Sequence, residues 1–393
     1  MGSQCKTVRL KRLSPCGNLV RFISPSQIAG NACHRWPWPT TSSATFLHRP
    51  RLREGLYFGC SSVSKTHPAN PLVSVVIPAF NRERVIDKAI RSVLAQTFQD
   101  FEIIVVDDGS RDETVKKALA LAYSEPRVRM FRSETNHGAQ AARNAGARAA
   151  RGKWLSFLDS DDEWLPTSLE VRLRIASVEN VEVVHSDCYI LQKNMPQELF
   201  NVPALRGEVY SELLGSPGPM FQAMLISANA FAQIGGLDET IVAYQEWDTA
   251  IRLGKHFRFG YVTAPTFVFN CQGTDTISKD ERRAAQGYKQ VVRKHLLPIM
   301  LRLGPRAISK HYHLIARYFS LAGEYKQARI ASLSAFFYWP SPRAIVHLLG
   351  LGVVEVLLPC GDHHGSHTIA DHQEWDTKCA DWPAPGLDDT RLS

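Results

Sequence analysis

Two aspartates, Asp159 and Asp161, follow the apolar segment WLSFL of this 393-residue chain. They stand two positions apart, so an extended backbone would point both carboxylates to the same side. Paired carboxylates at the end of a strand suit a hard divalent cation, which takes oxygen ligands and keeps water or phosphate oxygens in its shell. The alternative is that DSDD (159–162) only caps the following helix and favours its dipole. The pattern indicates either a divalent-metal site or a helix start.

A second acidic pair, Asp107 and Asp108, ends the apolar segment FEIIVVDD. Carboxylates in this position bind a base or a ribose in nucleotide sites, or they stand in a solvated strand–turn–helix junction. Arg143 lies in NHGAQAARNAG (136–146), where a glycine precedes a predicted helix. Backbone N–H groups and a guanidinium at a helix start can bind phosphate. These residues are compatible with a nucleotide site, although neither motif requires one by itself.

Strands and helices alternate through the part of the chain that carries these residues. The predicted elements lie, in order, at residues 72–80, 84–96, 101–108, 113–123, 128–131, 140–150 and 154–159. Such alternation predicts a parallel α/β sheet with right-handed crossovers. Ligands of such sheets lie outside the carboxyl ends of the strands, which is where both acidic pairs are expected.

Composition and charge divide the chain into four regions. Residues 1–70 are basic with a single acid and read as a disordered extension, with a targeting segment or translated sequence upstream of the true start as alternatives. Residues 71–275 are acidic and hold the α/β domain, 276–360 form a basic amphipathic helical region, and 361–393 form an acidic, disordered tail. A hydrophobic fraction of 44% excludes a wholly disordered protein. Eight scattered cysteines without a CxxC pair argue against a zinc ribbon or a disulfide framework.

The basic helical region has two interpretations. Its cations include Arg282, Arg283, Lys289, Arg293, Lys294, Arg302, Arg306, Lys310 and Arg317. They are either solvated faces of helices that cover the α/β domain or an attachment to an anionic membrane surface. No recognisable nucleic-acid-binding module accompanies the charge, so we expect no nucleic-acid partner. The most apolar segment, 344–358, is too short to span a bilayer, and we expect a cytoplasmic protein or one peripheral at the inner face of the membrane.

Three stretches of the sequence closely resemble the inverting family 2 glycosyltransferases. They are, in order, VSVVIPAFNRERVIDKAIRSVLAQTFQDFEIIVVDDGSRDET, NHGAQAARNAG and GKWLSFLDSDDEW. The resemblance covers roughly residues 72–270, and beyond Pro166 it rests on GGLDE (235–239) and QEWDTAIRL (245–253). It implies a GT-A fold, in which a Rossmann-like, mostly parallel sheet unites a nucleotide-binding half and an acceptor-binding half. A C-terminal helical segment follows here.

The resemblance also implies roles for individual residues. The nucleotide site would be formed by Pro78, Phe80, Asn81, Asp107, Asp108, Arg143 and Asp159. Asp159 and Asp161 resemble the DXD motif that binds Mn²⁺ or Mg²⁺ in the family. Glu246 holds the position of the catalytic base, where an Asp is usual, and Asp248 is the second acid of that motif. Asp238 and Trp247 would lie on the acceptor side.

The function implied by the resemblance is sugar transfer in polysaccharide and cell-envelope biosynthesis. A metal-dependent, inverting enzyme would move a hexosyl or N-acetylhexosaminyl group from a nucleotide sugar, expected to be a UDP-sugar, to a glycan or lipid-linked acceptor. The alternative is a non-catalytic nucleotide-sugar-binding or scaffold protein of the same fold. The intact DSDD and the acid at Glu246 favour the enzyme. Nucleotidyl transfer would need a Gly- and Arg-rich loop after the first strand, where this chain has IPAFN.

Overall fold

The computed structural model describes residues 70–192, 196–272 and 280–340, and the backbone of residues 53–54. All of them belong to one compact unit of the chain. The rest of the predicted extension and the whole predicted tail, 361–393, lie outside the described residues, so the predictions made for them remain predictions.

One sheet is formed by all of the strands in the described residues. They are β1 (Arg53–Glu54), β2 (Val73–Ala79), β3 (Phe101–Asp108), β4 (Val128–Ser133), β5 (Trp154–Phe157), β6 (Glu163–Trp164), β7 (Val183–Leu191), β8 (Glu198–Phe200), β9 (Leu225–Ser227) and β10 (Phe259–Asn270). The strand order is β1-β4-β3-β2-β5-β9-β7-β10-β6, with β8 paired to β7.

The sheet contains two sets of parallel strands that one antiparallel strand joins. Strands β4, β3, β2 and β5 run parallel, as do β7 and β10. Strand β9 runs antiparallel to both of its neighbours, β5 and β7, so the prediction of a parallel sheet holds only within each of these two sets. The mostly parallel GT-A architecture implied by the resemblance is confirmed. A strand can pair with an antiparallel neighbour without a crossover connection, so β9 can lie between the two parallel sets.

The helices lie between and after these strands. They are α1 (Ile86–Leu94), α2 (Thr114–Ser124), α3 (Ala139–Ala149), α4 (Ser168–Glu179), α5 (Tyr210–Gly215), α6 (Ala228–Gln233), α7 (Gln245–Gly254), α8 (Glu281–Lys294), α9 (Leu296–Leu321) and α10 (Tyr325–Tyr338), with a short 3₁₀ helix at Phe221–Ala223. No helix of the described part of the chain is both long enough and apolar enough to cross a membrane.

The core lies between the central strands and the helices that cover them. Every residue of β2 and β3 is buried, which explains their continuous Val and Ile content. Helix α3 lies close against β2. The approach is possible because residue 146 is a glycine, since a Cβ there would collide with the Val76 side chain. This close approach fixes α3, and with it Arg143, against the carboxyl edge of the sheet.

The C-terminal helices pack against the part of the domain that contains α7. Gly287 of α8 faces Ala243, where an added Cβ would lie 2.5 Å from the Ala243 carbonyl oxygen. Helix α9 bends at Gly304, whose φ is +76°, directly before Pro305. The break predicted at this Gly–Pro pair is therefore present. Helices α8 and α9 thus reach the segment that carries Glu246.

Candidate active site

The carboxyl ends of β2 and β3 are joined by side-chain hydrogen bonds. Asn81 follows β2 in the left-handed region, with φ +52°. Its backbone N–H donates to Ser110 Oγ (2.9 Å), and its Oδ1 accepts from the Arg111 N–H (3.0 Å). Pro78 is buried inside β2, whereas Phe80 is 40% exposed beside this junction. These three predicted nucleotide-site residues therefore meet the end of β3, where Asp107 lies.

Asp107 is a buried carboxylate with one oxygen available for a ligand. Its Oδ2 accepts from the Ser110 N–H (3.2 Å) and lies 3.4 Å from Arg132 Nε. Its Oδ1 is buried and has no hydrogen-bond partner among the described residues. Burial raises the pKa of Asp107, and the hydrogen bonds from Ser110 oppose that rise. A buried acceptor without a donor is costly, so the site favours a ligand that brings an N–H or O–H group.

The neighbouring carboxylate, Asp108, holds a loop in place. It accepts hydrogen bonds from the backbone N–H groups of His137 (3.0 Å) and Gly138 (2.7 Å). Gly138 has a φ of +94° and directly precedes α3. Asp108 therefore fixes the start of the helix that carries Arg143, and its oxygens face backbone donors.

The DSDD segment forms a cluster with Arg143 and Gln222. Asp159 accepts through Oδ1 from Arg143 Nη2 and through Oδ2 from Gln222 Nε2 (2.8 Å). The same Gln222 nitrogen donates to Asp162 Oδ2 (2.7 Å), while Asp162 Oδ1 accepts from the Asn270 N–H (2.8 Å). Gln222 thus links two carboxylates of the segment and fixes both to the sheet.

Asp161 differs from the other two acids of the segment. Burial and the negative charge of Asp159 raise its pKa, and the positive charges of Arg82 and Arg143 partly offset both effects. Burial raises the pKa of Asp162 as well, far above its usual range, but Asp162 is held by the hydrogen bonds described above. The positive charge of a bound cation would therefore favour the ionised form of Asp161.

The two carboxylates suit a divalent cation whose coordination shell is completed by oxygens of a bound substrate. Within residues 70–192, 196–272 and 280–340, no group of three or more His, Cys, Asp or Glu side chains forms a metal cage. Asp159 and Asp161 supply hard carboxylate oxygens, and repulsion between them raises the pKa of Asp161. Mg²⁺ and Mn²⁺ are commonly held by one or two carboxylates together with phosphate oxygens of the substrate. The pair suits such a shared site better than a site made of protein atoms alone.

Arg143 is a buried cation with unused donors. It is 4% exposed, and its guanidinium lies 5.0 Å from the ring centroid of Phe221. Its Nε and Nη1 atoms are buried and have no hydrogen-bond partner among the described residues. A guanidinium with two unused donors suits a phosphate or another anion.

Glu246 lies in the first turn of α7. Burial raises its pKa, the positive charge of Arg143 lowers it, and the negative charge of Asp159 raises it. Glu246 is therefore close enough to these two residues to share their electrostatic environment. Tyr244, directly before α7, has a left-handed backbone with φ +59° and donates its hydroxyl to Tyr318 Oη (3.0 Å).

Asp248 is fully buried and is contacted by the side chains of Arg252, Lys294 and His295. Its Oδ1 lies 2.8 Å from both His295 Nε2 and Lys294 Nζ, and its Oδ2 accepts from Arg252 Nε (2.8 Å). Burial alone would raise its pKa, but the hydrogen bond from His295 and the charge of Arg252 lower the pKa to about 2. This network joins α7 to α8 and the start of α9, so Asp248 anchors the helix that carries Glu246.

We expect Asp248→Ala to destabilise the protein by roughly 2–4 kcal/mol, because it removes a buried carboxylate that three side chains contact. The partial exposure of Arg252 and Lys294 reduces the cost of losing their partner. The lowered pKa means that the Asp248 contribution is present above pH 3.8 and is lost as the pH falls towards 2. Chemical denaturation of the wild type and the variant at pH 7 and at acidic pH measures both effects. An unchanged free energy of unfolding at pH 7 would contradict the anchoring role.

Neither predicted acceptor-side residue presents a free side chain. Trp247 is fully buried, donates through Nε1 to the Leu213 carbonyl (2.6 Å), and packs against Tyr288 with 4.8 Å between ring centroids. Asp238 accepts from Lys294 Nζ (2.7 Å). Burial raises its pKa, but the hydrogen bonds from Lys294 and Thr240 and the charge of Lys294 outweigh burial and lower it. Both residues connect α7 and its preceding loop to the C-terminal helices.

The sequence patterns did not single out two residues of the site. Gln222 bridges the DSDD carboxylates from a 3₁₀ helix more than fifty residues further along the chain, and Arg132 approaches Asp107 from β4. A lone glutamine in a loop carries no spacing signal. Alternation along VRMFRS places Arg132 on the same face as Val128 and Met130, so it gave no signal for Arg132 either.

A mostly parallel sheet with carboxylates at the end of β3 and just after β5 is the architecture of the GT-A nucleotide-diphosphate-sugar transferase fold. The model of the family "Glycosyl transferase family 2" matches residues 74–197. Over these residues the chain is similar to glycosyltransferase family 2, in agreement with the sequence resemblance.

A curated relative and two solved structures extend the comparison. The UDP-Glc:alpha-D-GlcNAc-diphosphoundecaprenol beta-1,3-glucosyltransferase WfgD of Escherichia coli is 34% identical over 147 residues, which are 37% of this chain and 56% of WfgD. The chain spans about half the length of the curated relatives it matches. The structure is similar to S. aureus TarS (17% identity, TM-score 0.51, 70% of this chain and 50% of TarS). It is also similar to the mannosyltransferase PcManGT from Pyrobaculum calidifontis, solved with GDP-Man and Mn²⁺ (18% identity, TM-score 0.50, 80% of this chain and 86% of PcManGT). These two similarities support the GT-A fold.

Proposed function

We propose that this protein is a metal-dependent, inverting glycosyltransferase that moves a sugar from a UDP-sugar to a lipid-linked glycan acceptor. The observation that carries the proposal is the contact of Arg143 with Asp159, together with the action of both charges on Glu246. One edge of the sheet thus combines a base-binding acceptor, an anion-binding cation, a carboxylate pair and a separate carboxylate base.

The nucleobase would bind at Asp107. Its unpartnered Oδ1 suits the N3–H donor of uracil, because a buried acceptor gains a full hydrogen bond when such a donor arrives. Cytosine presents an acceptor at N3, which the carboxylate would repel, but its N4 amino group can donate, as can the N–H groups of guanine and adenine. Asp107 by itself therefore requires only a donor, and the UDP-Glc in the name of WfgD supports uracil.

The diphosphate would lie between Arg143 and the DSDD segment. The unused Nε–H and Nη1–H groups of Arg143 would donate to phosphate oxygens. Asp159 and Asp161 would hold Mn²⁺ or Mg²⁺, which, when bound, stabilises negative charge on the leaving diphosphate. The Mn²⁺ in the PcManGT structure supports this cofactor class.

Glu246 would act as the general base. The acceptor oxygen forms a bond to the anomeric carbon while the bond from that carbon to the phosphate oxygen breaks, and the acceptor proton passes to the Glu246 carboxylate. UDP leaves with the bonding electron pair. A single displacement with one base inverts the anomeric configuration. Asp248 would position α7 without touching the substrate, since its oxygens are already engaged by Arg252, Lys294 and His295.

The acceptor class rests on the name of WfgD, which acts on a diphosphoundecaprenol-linked sugar. A lipid-linked acceptor would place the protein at the cytoplasmic face of a membrane, in cell-envelope polysaccharide synthesis. The competing proposal is a non-catalytic nucleotide-sugar-binding protein of the same fold. It would share the Asp107 and Arg143 contacts but would not depend on the carboxylate of Glu246.

A thermal-shift panel of UDP, GDP, CDP and ADP, with and without Mn²⁺, tests the donor site. We expect UDP with Mn²⁺ to raise Tm by roughly 5 °C when UDP is about 100-fold above its Kd. Asp107→Asn keeps an acceptor for Ser110 and replaces the unpartnered oxygen with an amide. We therefore expect the preference for UDP over CDP to fall by about tenfold to a hundredfold in this variant.

Asp87→Asn on the exposed face of α1 is the control for the loss of one carboxylate. It should leave the nucleotide preference unchanged. If no nucleotide shifts the Tm of the folded protein, the transferase proposal fails. A UDP shift that Asp107→Asn does not alter would contradict only the assignment of the base site.

A further inference from the structure

Helix α10 has an inverted distribution of apolar side chains. Its buried face consists of small residues, namely Ala328, Ala331, Ser332 and Ala335. Its larger apolar side chains point outward: Ile330 is 45% exposed, Leu333 52% and Phe337 82%. A surface helix usually buries its large apolar residues and exposes its polar ones. A contiguous exposed apolar stripe of this kind indicates a surface that another body covers.

Two cations belong to the same stripe. At 100° per residue, Lys326, Arg329, Ile330, Leu333 and Phe337 fall within an arc of about 100° on α10. Lys326 and Arg329 are both exposed, and the sequence of α10, YKQARIASLSAFFY, contains no acidic residue. We call these five residues the α10 stripe.

The apolar end of the α10 stripe continues into a neighbouring groove. Tyr312, Leu333, Ser334, Phe336, Phe337, Tyr338 and Pro340 line an open groove of about 610 Å³. The Arg306 guanidinium lies 5.9 Å from the ring centroid of Trp339, which is 45% exposed just after α10. An exposed Trp beside a cation is typical of side chains at a lipid–water interface.

Several cations that the sequence suggested for membrane attachment have partners within the protein. Arg282 pairs with Glu324 (2.6 Å), and Arg283 donates to the Val242 carbonyl (2.8 Å). Lys294 contacts both Asp238 and Asp248. These three cations of α8 therefore contact α7, the loop before it and the residue that precedes α10, and the α10 stripe is a different surface.

We propose that the α10 stripe docks onto an anionic lipid bilayer. The apolar side chains would enter the interface, and Lys326 and Arg329 would meet acidic headgroups, so the charge selects an anionic surface over a neutral one. The chain beyond Pro340 continues into AIVHLLGLGVVEVLL (344–358), whose composition favours the same interface. The proposal does not depend on the proposed transferase function, because docking needs neither donor nor acceptor.

Flotation of the full chain with vesicles tests the docking. The vesicles contain phosphatidylglycerol and phosphatidylcholine, or phosphatidylcholine alone. We expect the wild type to float with the mixed vesicles and Phe337→Ser to bind them about tenfold or more weakly. The double variant Lys326→Gln/Arg329→Gln should bind about 30-fold more weakly to the mixed vesicles and be unchanged with the neutral ones.

Helix α4 offers matched controls, Val178→Ser and Arg174→Gln, at exposed positions one turn apart. Both should float like the wild type. The proposal is overturned if the wild type does not float, or if the control variants lose binding equally. It is also overturned if Phe337→Ser lowers Tm without changing flotation, since the chain itself then covers the stripe. Conversion of a dimer to a monomer by Phe337→Ser, with flotation unchanged, would identify a second copy as the occupant. The UDP-induced thermal shift should persist in every variant, which separates this test from that of the proposed function.

Discussion

Glu246→Gln is expected to lower the turnover of sugar transfer by about 10²–10⁴-fold while UDP and Mn²⁺ still stabilise the protein. The amide keeps the size of the side chain but cannot take the proton of the acceptor hydroxyl. Burial raises the pKa of Glu246 above 4.5, so an uncharged amide at this position does not destabilise α7. Turnover measured as UDP release, beside UDP-induced thermal shifts, separates the loss of the base from the loss of the donor site.

The pH dependence gives this prediction a second readout. A base must be deprotonated, so the wild-type rate should fall as the pH drops through the raised pKa of Glu246, at a pH above 4.5. The residual rate of Glu246→Gln should not show this fall at low pH. Glu212→Gln, in the first turn of α5, is the matched control and should retain both the wild-type rate and its fall at low pH. Near-normal turnover in Glu246→Gln would exclude Glu246 as the base.

The sequence predicted the strands and helices that carry the site residues more reliably than the separate roles of two neighbouring aspartates. The strand predicted at 101–108 coincides with β3, because a fully buried strand has a continuous apolar sequence. Asp107 and Asp108 are equivalent in the sequence pattern. They point to opposite sides of the strand, so one keeps an unpartnered oxygen and the other binds the loop before α3. Only the partners, which come from residues 110–138, distinguish the two.

The second half of the site depends on contacts between distant segments. Asp248 has the sequence appearance of a catalytic acid, yet its partners Lys294 and His295 come from the junction of α8 and α9, beyond the predicted domain boundary at residue 275. Gln222 approaches the DSDD segment from a loop without any motif. Such long-range contacts leave no periodic pattern, so sequence reasoning identified the carboxylates and missed the side chains that hold them.

Asp161→Asn is expected to abolish the metal dependence of UDP binding and to lower transfer by at least about a thousandfold, because a bound cation contributes several kcal/mol to the stabilisation of a leaving diphosphate. The same substitution should raise the Tm of the nucleotide-free protein. Burial and the Asp159 charge raise the pKa of Asp161, which means that its ionised form is unfavourable in the folded protein, and an amide removes that cost.

Asp162→Asn is the matched control for this pair of effects. Asp162 accepts from both the Asn270 N–H and Gln222 Nε2. The amide nitrogen of the substituted side chain would face one of these donors without accepting from it, so we expect a lower Tm. The metal dependence of UDP binding should remain. Thermal unfolding with and without UDP and Mn²⁺ measures both variants. If Asp161 served only to start the following helix, its replacement would lower Tm and leave the metal dependence intact. Opposite Tm shifts in the two variants, with metal dependence lost only in Asp161→Asn, therefore distinguish a metal ligand from a structural carboxylate one residue away.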